Sequence, residues 1–600
     1  MTRPPQTAAP KPLLSVRLLL AGVLLNLMLG SASAATDRTD TQSANQRFAD
    51  IVFFGSNIVT VDPEFPDVQG VAVIGTQIST VGTRDQVAGL VGETTRVIEL
   101  GKRSLVPGFI DAHGHLSFAS KLIDMVDLSS PPVGQVNTID DIVMLLQSHI
   151  ARKKPSASQW IIGYGYDDSV IKEGRHPTRD DLDRASDQIP IMLMHVSGHL
   201  AAVNSAALTA RNVTSETQDP TGGVIRRKAG SQEPNGVMEE TAAFIFNGAQ
   251  LSESDPEKPA DSIRRAARHQ ASYGLTTLQD GGSTPASVAM FRAAAENQPF
   301  LQDIVAFPVA NRLEEEALNE IIADKNYRGG FRVGGVKFIL DGSPQGRTAY
   351  LSEPYTAGPP GADKGYRAYL SYPAADYDVR IAQLLQRGVP VLAHANGDAA
   401  IDVMIDGVAK ALEGKPLPDH RTVIIHAQLT REDQLHRIKA LGLVPSYFSA
   451  HTFFWGDWHR QSFGEDRAGF ISPVGRSAEL GIPFTIHNDA PVVPPDVMRL
   501  LWATVNRETR SGFILGPDQR ATPMQALHAV TLGAAYQYFE EDQKGSITPG
   551  KQADLVILGA NPITSDPSTI KDIPILETFS RGRSIYSRSI YQADGPYRVN

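Results

Sequence analysis

One short pattern in the sequence suits metal chemistry: two histidines stand one residue apart after an apolar run. Residues 105–110 are mostly apolar, and Asp111, His113 and His115 follow. In an extended strand, residues two apart point to the same side, so both imidazoles can reach one divalent ion such as zinc. Gly114 between them has no side chain to block a ligand. A surface strand could carry the same pattern by chance, so the prediction needs further ligands.

Four more candidate ligands occur far downstream, each within or just after an apolar run. A lone histidine in such a place is more often a buried structural residue than a ligand. Two histidines on separate predicted strands, both downstream of the first pair, favour metal binding. The four candidates are Lys337, His394, His426 and Asp489.

Lys337 is unusual because Val336 and Phe338 flank it. A bare ammonium group is costly to bury in apolar surroundings. The side chain could extend along its stem to the surface. Alternatively, CO2 could carbamylate the amine and turn the cation into a carboxylate able to bridge two metal ions.

Asp489 precedes Ala490 and Pro491, an order that also suits a turn or a helix cap. We favour a carboxylate that contacts the metal and transfers protons. Hydrolysis requires such a group, because water must lose a proton and a leaving amine must gain one.

Composition limits the remaining classes of function. The chain has 600 residues, 42% hydrophobic and 20% charged, with a net charge of -10 and no cysteine. A negative chain without a basic stripe does not predict nucleic-acid binding. The lack of cysteine excludes disulfides and thiolate ligands, so histidine, carboxylates or a modified lysine must hold any metal.

The N-terminus predicts export. Basic residues precede an apolar run at 18–29, and small residues follow at 32–34. This order is typical of a signal peptide, here residues 1–34, and the run is short for a bilayer span. We expect a periplasmic or secreted protein without a membrane anchor after cleavage, beginning with a flexible lead-in at 35–48.

The predicted secondary structure divides the remaining chain into two β-rich ends and an α/β middle. Short strands are predicted in 49–107, including a hairpin at 71–82, and again in 545–600. We expect both ends to form one small β-sandwich.

Strand and helix patterns alternate in residues 108–544. This alternation predicts an α/β (β/α)8 TIM barrel, with chemistry at the carboxyl ends of its strands. Helices are expected at 262–273, 376–387 and 431–441. Residues from about 122 to 251 do not follow this alternation of strands and helices, which predicts an inserted subdomain near the barrel mouth.

Several short motifs, taken in chain order, resemble those of the amidohydrolase superfamily and its YtcJ-like branch, which includes N-substituted formamide deformylase. Each motif alone is weak, but the ordered set is specific and covers almost the whole chain after residue 34. The motifs are residues 106–115, 177–183, 198–199, 203–208, 219–223, 341–343, 394–398 and 489–492, together with Lys337.

The resemblance implies one or two divalent ions, most often zinc. It implies that the His113/His115 pair binds the first ion and that Lys337, carbamylated, bridges to a second. His394 and His426 would bind that second ion, and Asp489 would be the acid and base.

Residues on the substrate side are also expected. His199, in the insertion, could reach the pocket and polarise a carbonyl, and Tyr164 and Tyr166 could line it. The aromatic stretch 448–459 suggests a loop over the pocket, where His451 and Trp455 would define substrate shape. Structural packing is an equally good interpretation of each.

His487 departs from the family pattern, since many relatives have glycine two residues before the aspartate. It could pack beside the site or contact substrate.

The sequence thus predicts a metal-dependent hydrolase that cleaves a non-peptide C–N bond of a small molecule, such as an N-acyl, N-formyl or cyclic amide. Two alternatives stay open: an ester or lactone hydrolase with the same centre, and a non-catalytic exported binding protein. A homodimer is a further expectation.

Overall fold

The computed structural model describes residues 47–122, 125–246, 257–324, 326–415 and 418–588. The expected signal peptide and nearly all of the expected lead-in lie outside these residues. Within them, no helix is both long enough and apolar enough to cross a membrane.

The first strands belong to two sheets. They are β1 (Ile51–Phe54), β2 (Gly70–Ile74), β3 (Gln77–Gly82), β4 (Arg96–Glu99) and β5 (Ser104–Pro107). Four of them form a sheet in the order β3-β2-β1-β4, while β5 joins a different sheet. The antiparallel pair β2–β3 confirms the predicted hairpin, and Gly75 has a φ of 60° at its turn.

The next strand, β6 (Phe109–Ile110), leads into the His113/His115 pair, and a separate mixed sheet follows it. This sheet has the order β11-β12-β10-β9-β8-β7 and falls within the predicted insertion. Its strands are β7 (Val126–Asp127), β8 (Ile161–Tyr166), β9 (Ile191–His195), β10 (Leu200–Val203), β11 (Gly223–Arg227) and β12 (Pro234–Glu240).

Parallel strands form the core of the chain. They are β13 (Leu275–Ser283), β14 (Asp303–Pro308), β15 (Phe331–Val333), β16 (Val336–Ile339), β17 (Val391–Ala395), β18 (Val423–His426), β19 (Val444–Tyr447) and β20 (Thr485–Ile486). The two sheets run β15-β14-β13-β6 and β16-β17-β18-β19-β20. Single parallel bridges join Val309 to Lys337 and Gly114 to Ala490 across their edges. The fold is therefore α/β, as predicted.

Helices separate most of the parallel strands, and the three predicted helices are present as α6, α9 and α11. The helices are α1 (Arg84–Ala88), α2 (Leu116–Leu122), α3 (Ile139–Lys153), α4 (Arg179–Leu182), α5 (Ser205–Ala210), α6 (Glu257–Ala271), α7 (Pro285–Asn297), α8 (Glu315–Glu320), α9 (Ala374–Gln386), α10 (Asp398–Leu412), α11 (Glu432–Leu441), α12 (His451–Phe463), α13 (Glu465–Gly469), α14 (Val474–Leu480), α15 (Val497–Asn506), α16 (Pro523–Ala529) and α17 (Leu532–Gln537).

The last strands return to the start of the chain. They are β21 (Leu555–Leu558), β22 (Ile575–Ser580) and β23 (Arg583–Ser587), and they form a sheet with β5 in the order β23-β22-β21-β5. One buried cluster contains residues of this sheet and of the first one. In it, the rings of Phe53 and Phe579 meet edge to face at 5.4 Å. Both ends of the described chain therefore share one core.

This shared core predicts a stability effect. Phe579 is fully buried, so Phe579→Ala should lower the free energy of unfolding by about 3–5 kcal/mol through lost burial and a cavity. Val97 is 45% exposed, and Val97→Ala should change it by less than about 0.5 kcal/mol. Urea unfolding followed by circular dichroism measures both. Equal, small effects would contradict a common core of the two ends.

Candidate metal centre

Four of the predicted ligands come into contact: His113 and His115 follow β6, Lys337 lies within β16, and Asp489 follows β20. Nε2 of His113 lies 2.7 Å from Nζ of Lys337 and 3.4 Å from Oδ1 of Asp489. Nε2 of His115 lies 3.0 Å from the same carboxylate oxygen. Ligand atoms of His113, His115 and Asp489 all lie within 4.8 Å of one another. Residues more than 370 positions apart thus face one small volume.

The other two predicted ligands lie against this group. The rings of His394 and His426 are 4.5 Å apart, and the ring of His426 is 5.5 Å from that of His113. Nε2 of His426 is 3.9 Å from Oδ2 of Asp489. All six side chains singled out as ligands are therefore brought together.

The chemistry of these atoms fits a cation. Oδ1 of Asp489 is buried and has no well-formed hydrogen bond to a described residue, although Nε2 of His115 lies 3.0 Å away and Nε2 of His113 lies 3.4 Å away. A buried carboxylate oxygen without a donor is costly unless a positive group compensates it. Two imidazole nitrogens approach the same oxygen. Imidazole nitrogens and a carboxylate oxygen are typical ligands of a divalent metal such as zinc, so this group fits such an ion.

The electrostatics favour the metal-binding forms of these side chains. Burial holds the pKa of His113, His394 and His426 well below the usual range, which leaves neutral imidazoles. Burial raises the pKa of Asp489, but the nearby His115 and the charges around it outweigh burial, so its pKa lies below the usual range. An ionised carboxylate and neutral imidazoles are the species that bind metals.

Lys337 responds to the same surroundings. It is 2% exposed, and burial lowers the pKa of its amine to about 7, with Asp489 opposing the change. The alternative in which this side chain extends to the surface is therefore wrong, because the amine points into the buried group of ligands.

Gln279, which the sequence analysis missed, orients His113. Its Oε1 lies 2.5 Å from Nδ1 of His113, while its Nε2 donates to the carbonyl of Ala112 at 2.9 Å and to the hydroxyl of Tyr538 at 2.6 Å. Because Nε2 of Gln279 is committed to acceptors, Oε1 must accept the proton of His113 Nδ1. That leaves Nε2 of His113 free for a metal.

Two further residues support the other histidines. Oδ1 of Asp341 lies 3.1 Å from Nδ1 of His394. Nε2 of His487 lies 3.1 Å from Nδ1 of His426, and Ser446 holds the other ring nitrogen of His487 at 2.9 Å. His487 thus packs behind His426, the first of the two roles considered for it.

Glycines make room for the first pair of histidines. A Cβ on Gly281 would lie 2.4 Å from Cε1 of His113, and a Cβ on Gly282 would lie 2.8 Å from Nδ1 of His115. The adjacent glycines at the end of β13 were the signal in the sequence that could have marked this segment as part of the site.

Two of the proposed ligands have strained backbones. His426 has a φ of 75° and Asp489 a φ of 55°, in the left-handed region that residues other than glycine rarely adopt. Such strain persists where the surroundings enforce it, and it concentrates at functional sites.

A pocket opens next to the ligands. His199 and His451 are among the residues that line it, whereas Tyr164, Tyr166 and Trp455 are not among the described residues that line it. Its lining residues are Ser197, His199, Ser343, Gln345, His394, Asn396, His426, Phe448, His451 and Asp489.

The residues outside the pocket have structural contacts instead. The hydroxyl of Tyr166 lies 3.2 Å from Nδ1 of His176, and the side chain is fully buried. Nε1 of Trp455 donates to Asp167 at 2.7 Å. Tyr164 lies on β8, in the inserted sheet. The structure therefore does not place these three side chains where they would contact substrate in the pocket.

The prediction of a loop over the pocket at 448–459 is wrong for most of that stretch. Residues from His451 onward form α12, and His451, Trp455 and His459 are buried along one face of it. Their spacing of four residues is that of one side of a helix. The aromatic content suggested a binding loop, but the period indicated a helix.

His199 has a partner that the sequence did not reveal. Its Nδ1 lies 2.7 Å from Oε2 of Glu240, and its ring is 5.2 Å from that of His394. Burial lowers the pKa of His199, but Glu240 outweighs burial and raises it overall. The connection between β9 and β10 thus places an imidazole beside the candidate ligand His394.

Comparison with known proteins identifies the class. The sequence model described as "Amidohydrolase family" matches residues 96–586. The chain belongs to the amidohydrolase family, and it is an enzyme, a hydrolase.

Particular relatives cover nearly all of the chain. It is 28% identical to N-substituted formamide deformylase of Arthrobacter pascens, over 90% of this chain and 99% of that protein. It is 26% identical to the putative amidohydrolase YtcJ of Bacillus subtilis, again over 90% and 99%.

Two solved structures resemble the fold. Both are described as uncharacterized metal-dependent hydrolases, from Pyrococcus furiosus (TM-score 0.65, 24% identity) and Pyrococcus horikoshii (TM-score 0.67, 22% identity). Each alignment covers 86% of this chain and 99% of the other. At this identity the likeness concerns the fold alone, and it supports a TIM-barrel-like α/β architecture.

The glycine beside His113 gives a test of the centre. Gly281→Ala should displace the His113 ring and weaken the binding of a divalent metal, probed with zinc, by about 10–100-fold, the range known for disturbed supporting contacts. Gly89→Ala is the matched control, because nothing lies within 4 Å of its added Cβ. Zinc affinity measured by competition with a chelator compares the two. Equal affinity in both variants would remove His113 from the centre.

Proposed function

We propose that this enzyme hydrolyses a non-peptide C–N bond in a small amide-like molecule, such as an N-acyl, N-formyl or cyclic amide, with the help of a divalent metal. The observation that carries the proposal is the meeting of His113, His115, Lys337 and Asp489 at hydrogen-bond distances in one buried volume. Similarity to a relative whose name describes deformylation of N-substituted formamides supports the choice of bond.

The proposed ligands divide into two groups. His113, His115 and Asp489 would hold one ion, and His394 and His426 lie where they could hold a second. Zinc is the expected metal, because imidazole and carboxylate ligands suit it. Such an ion supplies two effects, a lowered pKa of water and a polarised carbonyl oxygen.

Carbamylation of Lys337 would join the two groups. The neutral amine adds to the carbon of CO2, an N–C bond forms, a proton leaves the nitrogen, and a carboxylate results. Support comes from the burial of the amine and its pKa of about 7, which makes the neutral, nucleophilic form available. The amine also points toward His113, on the first group of ligands.

Asp489 would move the protons of the reaction. Its carboxylate is ionised and borders the pocket, so it can accept a proton from the attacking water and return it to the leaving nitrogen. His199, held by Glu240, also lines the pocket and can contact the substrate carbonyl. Phe448 and His451 line the pocket as well and can restrict the acyl group.

The finer architecture is also a proposal. We infer that eight strands close into a (β/α)8 barrel over residues 108–544: β6, β13, β14, β15 with β16 as one strand interrupted at residues 334–335, and β17 to β20. The first and last sheets would then form the β-sandwich of residues 49–107 and 545–600. The bridges between Val309 and Lys337 and between Gly114 and Ala490 support closure.

We also propose that residues 1–34 direct export to the periplasm or medium, that the mature enzyme is a homodimer, and that its partner in catalysis is a small-molecule substrate. Sequencing the N-terminus of the secreted protein tests the export, and an N-terminus still at residue 1 would contradict it.

A single substitution separates binding from catalysis. Asp489→Asn keeps an oxygen toward the metal but removes the base, so turnover should fall by at least about 100-fold while zinc content stays close to that of the wild type. Activity and elemental analysis on the same preparation measure both. Full activity would exclude Asp489 as the proton-transfer group.

Metal removal tests the reaction class. Dialysis against a chelator should abolish hydrolysis, and Zn2+ or Mn2+ should restore it, because the ion supplies the reactive water. A screen of N-acyl, N-formyl and cyclic amides, each beside its matched ester or lactone, measures preference. Faster turnover of the esters would support the alternative hydrolase. Negligible metal with no hydrolysis of either class would support a binding protein.

A further inference from the structure

A second group of metal-binding side chains lies in the inserted sheet, outside the candidate catalytic centre. Asp168 follows β8, His195 ends β9, and His176 lies in the segment before α4. One ligand atom from each lies within 4.8 Å of the other two. The residues are largely buried: Asp168 is 8% exposed, His176 7% and His195 2%. No step of the proposed reaction uses this group, the inserted-sheet cluster.

The cluster has the same set of donor atoms as the candidate centre, at the same spacing. Nε2 of His195 lies 3.0 Å from Oδ1 of Asp168, and Nε2 of His176 lies 3.5 Å from Oδ2. The corresponding distances from His115 and His113 to Asp489 are 3.0 and 3.4 Å. In both groups two imidazoles approach one carboxylate, but His113 and His115 share a single oxygen of Asp489, whereas His195 and His176 each approach a different oxygen of Asp168.

The outer nitrogen of each imidazole also has a suitable partner. Nδ1 of His176 lies 3.2 Å from the hydroxyl of Tyr166, and Nδ1 of His195 lies 2.8 Å from the hydroxyl of Ser197. Histidines that bind metals commonly donate their other N–H to an oxygen, which fixes the ring and its tautomer. The hydroxyl oxygen of Tyr166 can accept that proton from His176. Nδ1 of His195 accepts from the backbone N–H of Ser197 at 3.2 Å, and its Nε2 bonds to Asp168 at 3.0 Å. An ion at Nε2 would therefore shift the proton of His195 to Nδ1, where the hydroxyl of Ser197 can accept it.

The charges suit a cation as well. Burial raises the pKa of Asp168, but His176, His195 and Arg226 outweigh burial, and the carboxyl stays ionised. Burial lowers the pKa of His176 to about 3, which keeps that imidazole neutral. Arg226 forms an ion pair with the buried Glu239, so its own charge is already balanced.

We propose that Asp168, His176 and His195 form a second divalent-cation site, with zinc as the fitting ion and one coordination position left for water. Two nitrogens and one carboxylate oxygen are typical zinc ligands. The site would tie β8 to β9 and fix the turn after His195. Because Ser197 and His199 of that turn line the catalytic pocket, the ion would stabilise one wall of the pocket.

Zinc stoichiometry tests the proposal. The enzyme is stripped with a chelator, reloaded with Zn2+, desalted and analysed by inductively coupled plasma mass spectrometry. Asp168→Asn, which is nearly isosteric, should hold about one zinc fewer per chain than the wild type. The control is His420→Gln, since the ring of His420 bonds to Thr422 and to a backbone carbonyl and lies near neither group. Circular dichroism verifies that each variant is folded.

A second variant keeps the test independent of the catalytic centre. His113→Asn with His115→Asn disrupts that centre and leaves the cluster unaltered. Adding Asp168→Asn to this pair should remove a further zinc per chain. Equal zinc content with and without Asp168→Asn, in both backgrounds, would overturn the proposal and leave the three side chains as a hydrogen-bonded network.

Discussion

The free-energy cost of burying charged side chains is the constraint on which the candidate metal centre depends. Asp489 and Lys337 lie in the interior, where an isolated carboxylate or ammonium is expensive. They are tolerated because His113 and His115 approach one carboxylate oxygen of Asp489, and because burial keeps His113 neutral and lowers the pKa of Lys337. A divalent cation held by these groups would balance the buried carboxylate. The enzyme therefore requires a metal because a bound cation offsets the free-energy cost of burying the carboxylate.

The parallel strands make the convergence possible. Their carboxyl ends meet at one edge, so side chains separated by hundreds of residues face one volume. His113 and His115 pack closely against β13 only because residues 281 and 282 are glycine. Gln279 of the same strand fixes the tautomer of His113. Strained backbones at His426 and Asp489 show that the surroundings hold these groups in place against local preference.

Much of this organisation could be predicted from sequence. The strand and helix periods gave the α/β alternation, and residue type at strand ends gave all six side chains that converge. Gln279, Glu240 and Asp341 were missed as supporting residues because their contacts depend on tertiary pairing rather than on local pattern. The aromatic stretch was expected to be a loop, but residues from His451 onward form a helix. For Tyr166 and Trp455 both packing and substrate contact were considered, and their buried contacts fit packing. The burial of these aromatic residues in the folded chain, rather than their residue type, determines whether they contact the pocket.

The most direct measurement is an anomalous difference map, recorded at the zinc absorption edge from crystals of the zinc-loaded enzyme. The account predicts a peak among Nε2 of His113, Nε2 of His115 and Oδ1 of Asp489, at about 2.0–2.2 Å from each. Zinc-loaded crystals with these side chains in direct mutual contact and no peak between them would contradict it.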